Sequence, residues 1–244
     1  MDQVRLETVS LNHCGAITAV YVGGEDVLPG LLHSDLLPAA AEQDAWIKNY
    51  LPIIELLGAI PNDYLQYFFY RERKFNELKN APQTRGEACR DIEARLLSHY
   101  ANESNREVPA ALAERGGHLY SEAAIALIAS LSGAAPGNHV VDVQNRGTID
   151  FLPETSVIET SCYVERGRIT RNPLTVPVND VLRSLLISVK AYETLAVRAA
   201  LTGDRATALQ ALACNPITAD LDKAAPCLSE MLEQNRSLLP RFFE

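Results

Sequence analysis

The order of strand-like and helix-like hydrophobic patterns limits the fold of this chain most strongly. Apolar and polar side chains alternate over residues 4–27, and strand-like patterns return over residues 139–145 and 156–166. Because strands and helices do not alternate as they do in a doubly wound parallel sheet, we predict an α+β fold of mixed helices and a small, largely antiparallel sheet. Helical spacing covers residues 34–57, 63–78, 85–101 and 120–133, and about three segments from residue 178 onward.

Turn and cap residues predict where several of these elements begin and end. The first strand region breaks between Asn12 and Gly15, which predicts a tight turn there. Thr84 followed three residues later by Glu87 is the pattern of a capping box, so a helix should start at this point. Gly203 predicts a break within the helical last third of the chain.

Composition excludes some classes of function. The chain has 244 residues, of which 47% are hydrophobic, so it can bury a core as one large domain or two small ones. A net charge of −9 without a long Lys/Arg run argues against nucleic-acid binding. No stretch approaches the roughly 18 apolar residues of a membrane span, and the first residues do not form a signal peptide. Five scattered cysteines, each expected to be a small buried hydrophobe, fit a reducing compartment, so we expect a cytoplasmic protein without a membrane partner.

The glycine pattern gives no sign of a dinucleotide site. Gly23-Gly24 and Gly116-Gly117 have the wrong spacing and context for a GxGxxG turn between a strand and a helix. We therefore predict no cofactor-binding residue in this chain.

His13 is the first residue that could carry chemistry, because it lies at the end of a predicted strand, where a side chain can project into a cleft. Taken alone, such a histidine is more often a hydrogen-bonded surface or core residue than a metal ligand. The neighbouring Cys14 should point to the opposite face of the strand. If His13 binds a metal, the other ligands must come from elsewhere, including from outside this chain.

Three further candidates lie at predicted helix starts. Tyr64 belongs to an aromatic cluster that would ordinarily pack a helix, but a tyrosine in a first helical turn can have its phenolate form stabilised. Arg85 could hold an anion or sugar hydroxyls, or be an ordinary exposed arginine. The glycines of the segment 115–121 permit close backbone approach, or simply a flexible helix entry.

In their order and spacing these segments resemble the C-terminal domain of family 4 glycoside hydrolases over nearly the whole chain. Three early segments carry the resemblance: LNHCGAITAVYVGGEDVLPGLL, YLQYFFY and TRGE. The later segments RGGHLYSEAA, VVDVQNRGTIDFLPETSVIETSCYV and NPLTVP are more similar to the 6-phospho-β-glucosidase branch than to the α branch. The resemblance implies a fold like the C-terminal domain of lactate dehydrogenase.

The resemblance also implies an activity and a role for each candidate residue. The implied reaction is hydrolysis of a 6-phospho-β-glucoside by NAD-dependent oxidation at C3, removal of the C2 proton, loss of the aglycone from C1, addition of water and return of the hydride to C3. This family is a known exception to the two-carboxylate scheme of glycosidases. By motif position, Tyr64 matches the catalytic base and His13 the metal ligand, with manganese as the expected divalent ion. Arg85 and Asn12 match substrate-binding residues.

The chain also departs from the family pattern. The family's NAD-binding Rossmann domain normally precedes the LNH segment and supplies a cysteine as the second metal ligand. Here only residues 1–12 precede His13, so we expect residues 1–244 to be a single C-terminal domain, inactive without the NAD domain. The alternatives are a non-catalytic phosphosugar-binding or oligomerisation module that keeps the fold, and an unrelated α+β protein. Because a missing domain exposes apolar surface, we also expect a homo-oligomer, a dimer or tetramer.

Overall fold

The computed structural model describes residues 4–115 and 120–244. The chain divides into two compact units. The first contains Met1–Arg71, Asn138–Cys162 and Thr170–Glu244, and the second contains Glu72–Gly137 and Tyr163–Ile169. None of the helices in the described ranges combines the length and the apolar character that a membrane crossing requires.

Seven strands of the described chain form one sheet. Their central order is β3-β2-β1-β6-β5, while β4 pairs with β2 and β7 pairs with β6. The pairings of β1 with β2 and β6, and of β2 with β3 and β4, are antiparallel. The predicted α+β class with its largely antiparallel sheet is therefore confirmed. The strands are β1 Val4–Leu11, β2 Cys14–Val22, β3 Glu25–Asp26, β4 Ile60–Pro61, β5 Gly137–Gln144, β6 Val157–Glu165 and β7 Arg168–Arg171.

Helices make up most of the remaining chain. The first unit contains α1 Leu28–Leu32, α2 Leu36–Ala41, α3 Ala45–Leu57, α4 Gln66–Phe69, α9 Asp180–Thr202, α10 Arg205–Cys214 and α11 Leu221–Gln234, with 3₁₀ turns at Asp63–Leu65 and Pro240–Phe243. The second unit contains α5 Arg71–Lys79, which begins at the last residue of the first, α6 Arg85–Tyr100, α7 Ala111–Arg115 and α8 Tyr120–Ser132.

Two predicted helices are each divided in the structure. The single helix expected over residues 34–57 is wrong, because the Asp44 side chain accepts hydrogen bonds from the N–H groups of Trp46 and Ile47 and starts a separate helix. The helix expected over residues 63–78 is interrupted at Tyr70, whose φ of −120° and ψ of 38° are not helical. Tyr64 therefore lies in a short 3₁₀ turn rather than at the start of a long helix, and a long-helix dipole does not act on it.

The helical last third agrees with the prediction of three segments. Asn179 caps α9 by accepting from the N–H of Val181, and Gly203 ends that helix in the left-handed conformation that glycine favours. Asp204 then caps α10 through the N–H groups of Ala206 and Thr207. Local cap chemistry, which is visible in the sequence, thus sets these boundaries.

The core of the first unit lies between the sheet and the helices α3 and α9. It is built from side chains of strand, loop and helix together, which is why no single segment of it would be stable alone. Its most buried members are Val9, Ile53, Ile54, Leu65, Ile149, Ile158, Leu182, Leu186 and Val189.

The second unit confirms the predicted capping box. The Thr84 side chain accepts from the N–H of Glu87, and the Glu87 carboxylate accepts from the N–H of Thr84. The N–H and the hydroxyl of Thr84 both donate to the Glu87 carboxylate, which holds the pKa of that carboxyl below its usual range. Ile92 and Leu96 of α6 are buried, whereas the neighbouring Leu97 is 61% exposed.

Gly15 is the position where the hairpin leaves no room for a side chain. A Cβ atom at residue 15 would lie 2.4 Å from Cβ of Ser10 and 2.5 Å from the carbonyl oxygen of Val9. We expect Gly15→Ala to lower the free energy of unfolding by about 1–3 kcal/mol, as overpacking does. Urea denaturation of the purified chain measures this change.

Gly30→Ala is the matched control, because in the described part of the chain no atom outside its neighbours and its own helix backbone lies within 4 Å of the Cβ it would create. Gly30 lies inside α1, where alanine is the better helix former, so this variant should be neutral or slightly stabilised. Equal midpoints for the two variants would show that the hairpin tolerates a side chain at residue 15.

Candidate functional site

The turn between β1 and β2 presents His13 to solvent. Leu11 pairs with Cys14, so the connection has only two residues, Asn12 and His13, with φ of 43° and 70°. Such a two-residue hairpin turn needs positive φ at both positions, which asparagine tolerates better than histidine. Non-glycine residues in this region are strained, and such strain often marks a functional site. Both turn residues are exposed whereas Cys14 is buried, as predicted from the alternation of side chains along a strand.

Tyr64 is positioned by the segment that pairs with the same hairpin. Pro61 of β4 lies opposite Ala16 of β2, and the N–H of Asn62 donates to the carbonyl oxygen of Gly15 at 2.8 Å. The Asn62 side chain then accepts from the N–H of Tyr64 at 2.9 Å and starts the 3₁₀ turn. The tyrosine turn is therefore hydrogen-bonded to the strand that follows His13.

His13 and Tyr64 meet in the structure although 51 positions separate them in the sequence (64 minus 13). Their ring centroids are 4.6 Å apart and the ring planes are inclined by 77°, an edge-to-face contact. Tyr64 is 45% exposed, and the ring of Tyr67 lies 6.2 Å away from it. An imidazole and a phenol thus share one accessible patch at the tip of the hairpin.

His13 has the chemistry of one metal ligand. Within residues 4–115 and 120–244, neither of its ring nitrogens has a hydrogen-bond partner, so a ring nitrogen is available for coordination. The same ranges contain no group of three His, Cys, Asp or Glu side chains that could hold a metal ion. His13 fits a metal as a single donor, and a stable site needs further ligands from elsewhere.

Cys14 does not complete such a site. Its side chain is buried on the core side of β2, and burial raises the pKa of the thiol to about 11. A cysteine binds metal as the thiolate, which this environment disfavours. Cys162 is likewise buried, and burial raises the pKa of its thiol. The expectation of a buried hydrophobe is wrong for Cys214 and Cys227, which are exposed.

Arg85 belongs to the second unit and starts α6, as predicted. Its Nη2 donates to the carbonyl oxygens of Arg115 at 2.8 Å and Glu114 at 3.3 Å, which are among the unpaired carbonyls at the end of α7. This is a structural role that the sequence did not indicate. The glycine pair and His118 of the segment 115–121 lie outside the described residues.

Two residues that support the Tyr64 turn were not predicted from the sequence. The indole N–H of Trp46 donates to a carboxylate oxygen of Asp63 at 2.6 Å. The hydroxyl of Tyr50 donates to the backbone carbonyl of Asp63 at 2.7 Å. Burial, with a smaller contribution from the Asp63 charge, raises the pKa of Tyr50 well above its ordinary value, so its hydroxyl remains a donor. The one feature of the sequence that could have drawn attention to this support is that Trp46 is the single tryptophan of the chain.

Two motifs of the resemblance meet at a cavity in the first unit. Residues 148–151 of NRGTIDFLP and residues 174–178 around NPLTVP line a space of about 460 Å³, together with Arg183. The guanidinium of Arg183 lies 4.9 Å from the ring centroid of Phe151. Neither His13 nor Tyr64 lines this cavity.

Comparison with known proteins identifies relatives over almost the whole chain. The family model described as "Family 4 glycosyl hydrolase C-terminal domain" matches residues 9–218. The 6-phospho-beta-glucosidase BglT of Thermotoga maritima is 32% identical over 97% of this chain and 55% of its own length. A probable 6-phospho-beta-glucosidase of Bacillus subtilis is 29% identical over 100% of this chain and 56% of its own length. The chain thus spans about half the length of the curated relatives it matches.

A solved structure extends the similarity to three dimensions. The Thermotoga maritima 6-phospho-beta glucosidase with manganese, NAD+ and glucose-6-phosphate superposes with a TM-score of 0.81 at 31% identity. The match covers 98% of this chain and 55% of the other. The expected fold of a family 4 C-terminal domain is therefore confirmed.

Burial of the thiols predicts which cysteines react. Burial raises the pKa of the Cys14 thiol to about 11, which lowers its thiolate fraction near neutral pH by about 100-fold, and burial raises the pKa of the Cys162 thiol as well. Thiolate is the reactive form of cysteine. We expect iodoacetamide to label Cys214 and Cys227 in the folded chain well before Cys14 and Cys162. Peptide mass spectrometry after short labelling measures this order.

Labelling in urea serves as the control, since all five cysteines should then react at similar rates. Early modification of Cys14 in the folded chain would contradict the inward orientation of its side chain.

Proposed function

Because this chain belongs to the family 4 glycosyl hydrolases, as their C-terminal domain, we propose that it forms the metal- and substrate-side part of a 6-phospho-β-glucosidase. The observation that carries the proposal is the 4.6 Å contact between His13 and Tyr64. The resemblance assigns these two residues the roles of metal ligand and base. The similarity to a structure with manganese, NAD+ and glucose-6-phosphate supports a phosphorylated glucoside as the substrate.

His13 is proposed to hold the divalent ion, manganese in the first instance. Its position on a two-residue turn gives the imidazole little freedom of backbone movement, which favours a fixed coordination direction. When bound, NAD supplies reversible hydride transfer at C3 and the metal supplies Lewis-acid polarisation of the C3 oxygen. Both effects acidify the C2 proton of the sugar.

Tyr64 is proposed to remove that C2 proton. An ordinary tyrosine has a pKa of about 10, so it needs a nearby cation to act as a base near neutral pH. The edge-to-face contact with His13 places the phenol beside the residue that would hold such a cation. After the aglycone leaves from C1 and water adds, the protonated Tyr64 can return the proton to C2.

Arg85 and Asn12 are proposed to bind the substrate. Only Nη2 of Arg85 is used in the carbonyl contacts, and across the described residues its Nε and Nη1 have no hydrogen-bond partner. Those two nitrogens can donate in parallel to a phosphate or to sugar hydroxyls. Asn12 is exposed next to His13 and can donate its amide N–H to a sugar oxygen.

NAD is proposed to bind mainly to a nucleotide-binding part outside residues 1–244. A dinucleotide site lies at the carboxyl ends of parallel strands, whereas the pairings of β1 and β2 with their neighbours are antiparallel. That part would also supply the remaining metal ligands. Residues 1–244 are then one functional C-terminal domain, and a cytoplasmic location and a homo-oligomeric state are further proposals that fit this metabolic role.

Hydrolysis of p-nitrophenyl 6-phospho-β-glucoside tests the proposal. We expect turnover when this chain is combined with the nucleotide-binding part of a family 4 enzyme, NAD, Mn²⁺ and a reductant. Tyr64→Phe should lower kcat by about 10²–10⁴-fold, since it removes the proposed base. His13→Ala should abolish the Mn²⁺-dependent turnover, because the metal loses one of its ligands.

Tyr67→Phe is the matched control, because it removes a neighbouring phenol whose ring lies 6.2 Å from Tyr64 and should leave kcat nearly unchanged. Equal losses in Tyr64→Phe and Tyr67→Phe would argue against a specific base. Binding of glucose 6-phosphate without turnover in any mixture would instead support a non-catalytic phosphosugar-binding module.

A further inference from the structure

Two side chains of α3 donate hydrogen bonds to the 3₁₀ turn that carries Tyr64, and Asp63 accepts both. Trp46 donates from its indole N–H to the Asp63 carboxylate, and Tyr50 donates from its hydroxyl to the Asp63 backbone carbonyl. Both donors come from one helix, whereas Asn62 and Leu65 anchor the two ends of the turn, the first to Gly15 and the second in the core. Asp63 therefore links the position of the turn to the position of α3.

Trp46 is itself held firmly although it is 39% exposed. Its ring stacks on Tyr50 with centroids 4.5 Å apart and an interplanar angle of 24°. Its backbone N–H donates at 2.7 Å to Asp44, the cap of α3. Ring stacking, the helix cap and the charge-assisted hydrogen bond to Asp63 together fix the Trp46 side chain. The position of α3 therefore sets the position of the Asp63 carboxylate.

Rotation of the turn about its two anchors would move the Tyr64 ring relative to His13. The next residue after Asp63 is Tyr64, whose ring is 45% exposed and lies beside the rings of His13 and Tyr67. A phenol that must take a proton has to be placed within a few tenths of an ångström, so small rotations matter.

We propose that Trp46 and Asp63 are positioning residues, which hold the Tyr64 phenol against His13 through the indole–carboxylate hydrogen bond. Neither residue touches the reacting atoms; both act through the backbone of the tyrosine turn. The catalytic consequence rests on the proposed function, whereas the effect on ring placement does not.

Nuclear magnetic resonance of the isolated full chain tests ring placement without any turnover. The aromatic protons of His13 should carry a ring-current shift from Tyr64, identified as the part that disappears in Tyr64→Ala. We expect Trp46→Phe, which keeps the stack on Tyr50 but lacks the N–H donor, and Asp63→Ala, which lacks the acceptor, to lose part of that shift. Asp63→Asn keeps an oxygen acceptor and should retain it. The single indole N–H signal of the chain reports directly whether the bond is made.

Asp204→Ala is the control for a loss of stability alone. It removes the cap of α10 in the same compact unit, at a distance in sequence from the hairpin and the tyrosine turn. It should lower the melting temperature without moving the His13 signals. If Trp46→Phe and Asp63→Ala also leave these signals in place, the positioning role is overturned.

Kinetics of the completed enzyme then test the catalytic consequence. Loss of one exposed charge-assisted hydrogen bond should lower kcat by about three- to tenfold, with KM nearly unchanged because substrate contacts are intact. Asp63→Asn should recover most of kcat. If the wild-type mixture shows no turnover, the proposed function is overturned. The magnetic resonance test then still decides whether Trp46 and Asp63 position the Tyr64 ring. Full kcat in Trp46→Phe, with an active wild type, would overturn the catalytic part.

Discussion

The antiparallel register between β1 and β2 determines the geometry of the candidate site. Because Leu11 lies opposite Cys14, only two residues remain for the turn, and both adopt positive φ, as in a type I′ hairpin turn. A shift of one residue would exchange the two faces of the strand, turning Cys14 outward and His13 toward the core. In the same register the carbonyl oxygen of Gly15 accepts a hydrogen bond from the N–H of Asn62. This bond brings the tyrosine turn to the hairpin tip.

A buried glutamate lies in the middle of this strand pair, where Glu7 pairs with Ala19. Glu7 is 1% exposed and, within the described ranges, no cation pairs with it. Its oxygens instead accept from the hydroxyl of Thr18 at 3.2 Å, from the N–H and hydroxyl of Thr175 at 3.0 and 2.7 Å, and from the N–H of Val176 at 3.3 Å. A buried charge is tolerated when hydrogen bonds satisfy it in this way. Glu7 thereby ties the NPLTVP segment, which lines the cavity of the first unit, to the sheet.

The resemblance motifs therefore serve two different purposes in the structure. The LNH and YLQYFFY segments meet at the hairpin tip and supply an imidazole and a phenol on one patch. The NRGTIDFLP segment is organised by Asn145, a fully buried residue whose amide nitrogen donates to the carbonyls of Ile149 and Leu152. The LNH and YLQYFFY segments contain the proposed catalytic and metal-binding residues. The NRGTIDFLP segment lines the cavity of the same compact unit.

Sequence alone determined the features that depend on near neighbours along the chain. The hairpin turn, the Thr84 capping box, the three C-terminal helices and the opposite faces of His13 and Cys14 all follow from turn chemistry, caps and alternation, which act over a few residues. The break of the expected helix at Tyr70, the exposure of Leu97 and the Trp46–Asp63 bond across 17 positions were decided only in three dimensions. In those cases the deciding contacts are made with elements distant in sequence, and such contacts form only when the chain folds.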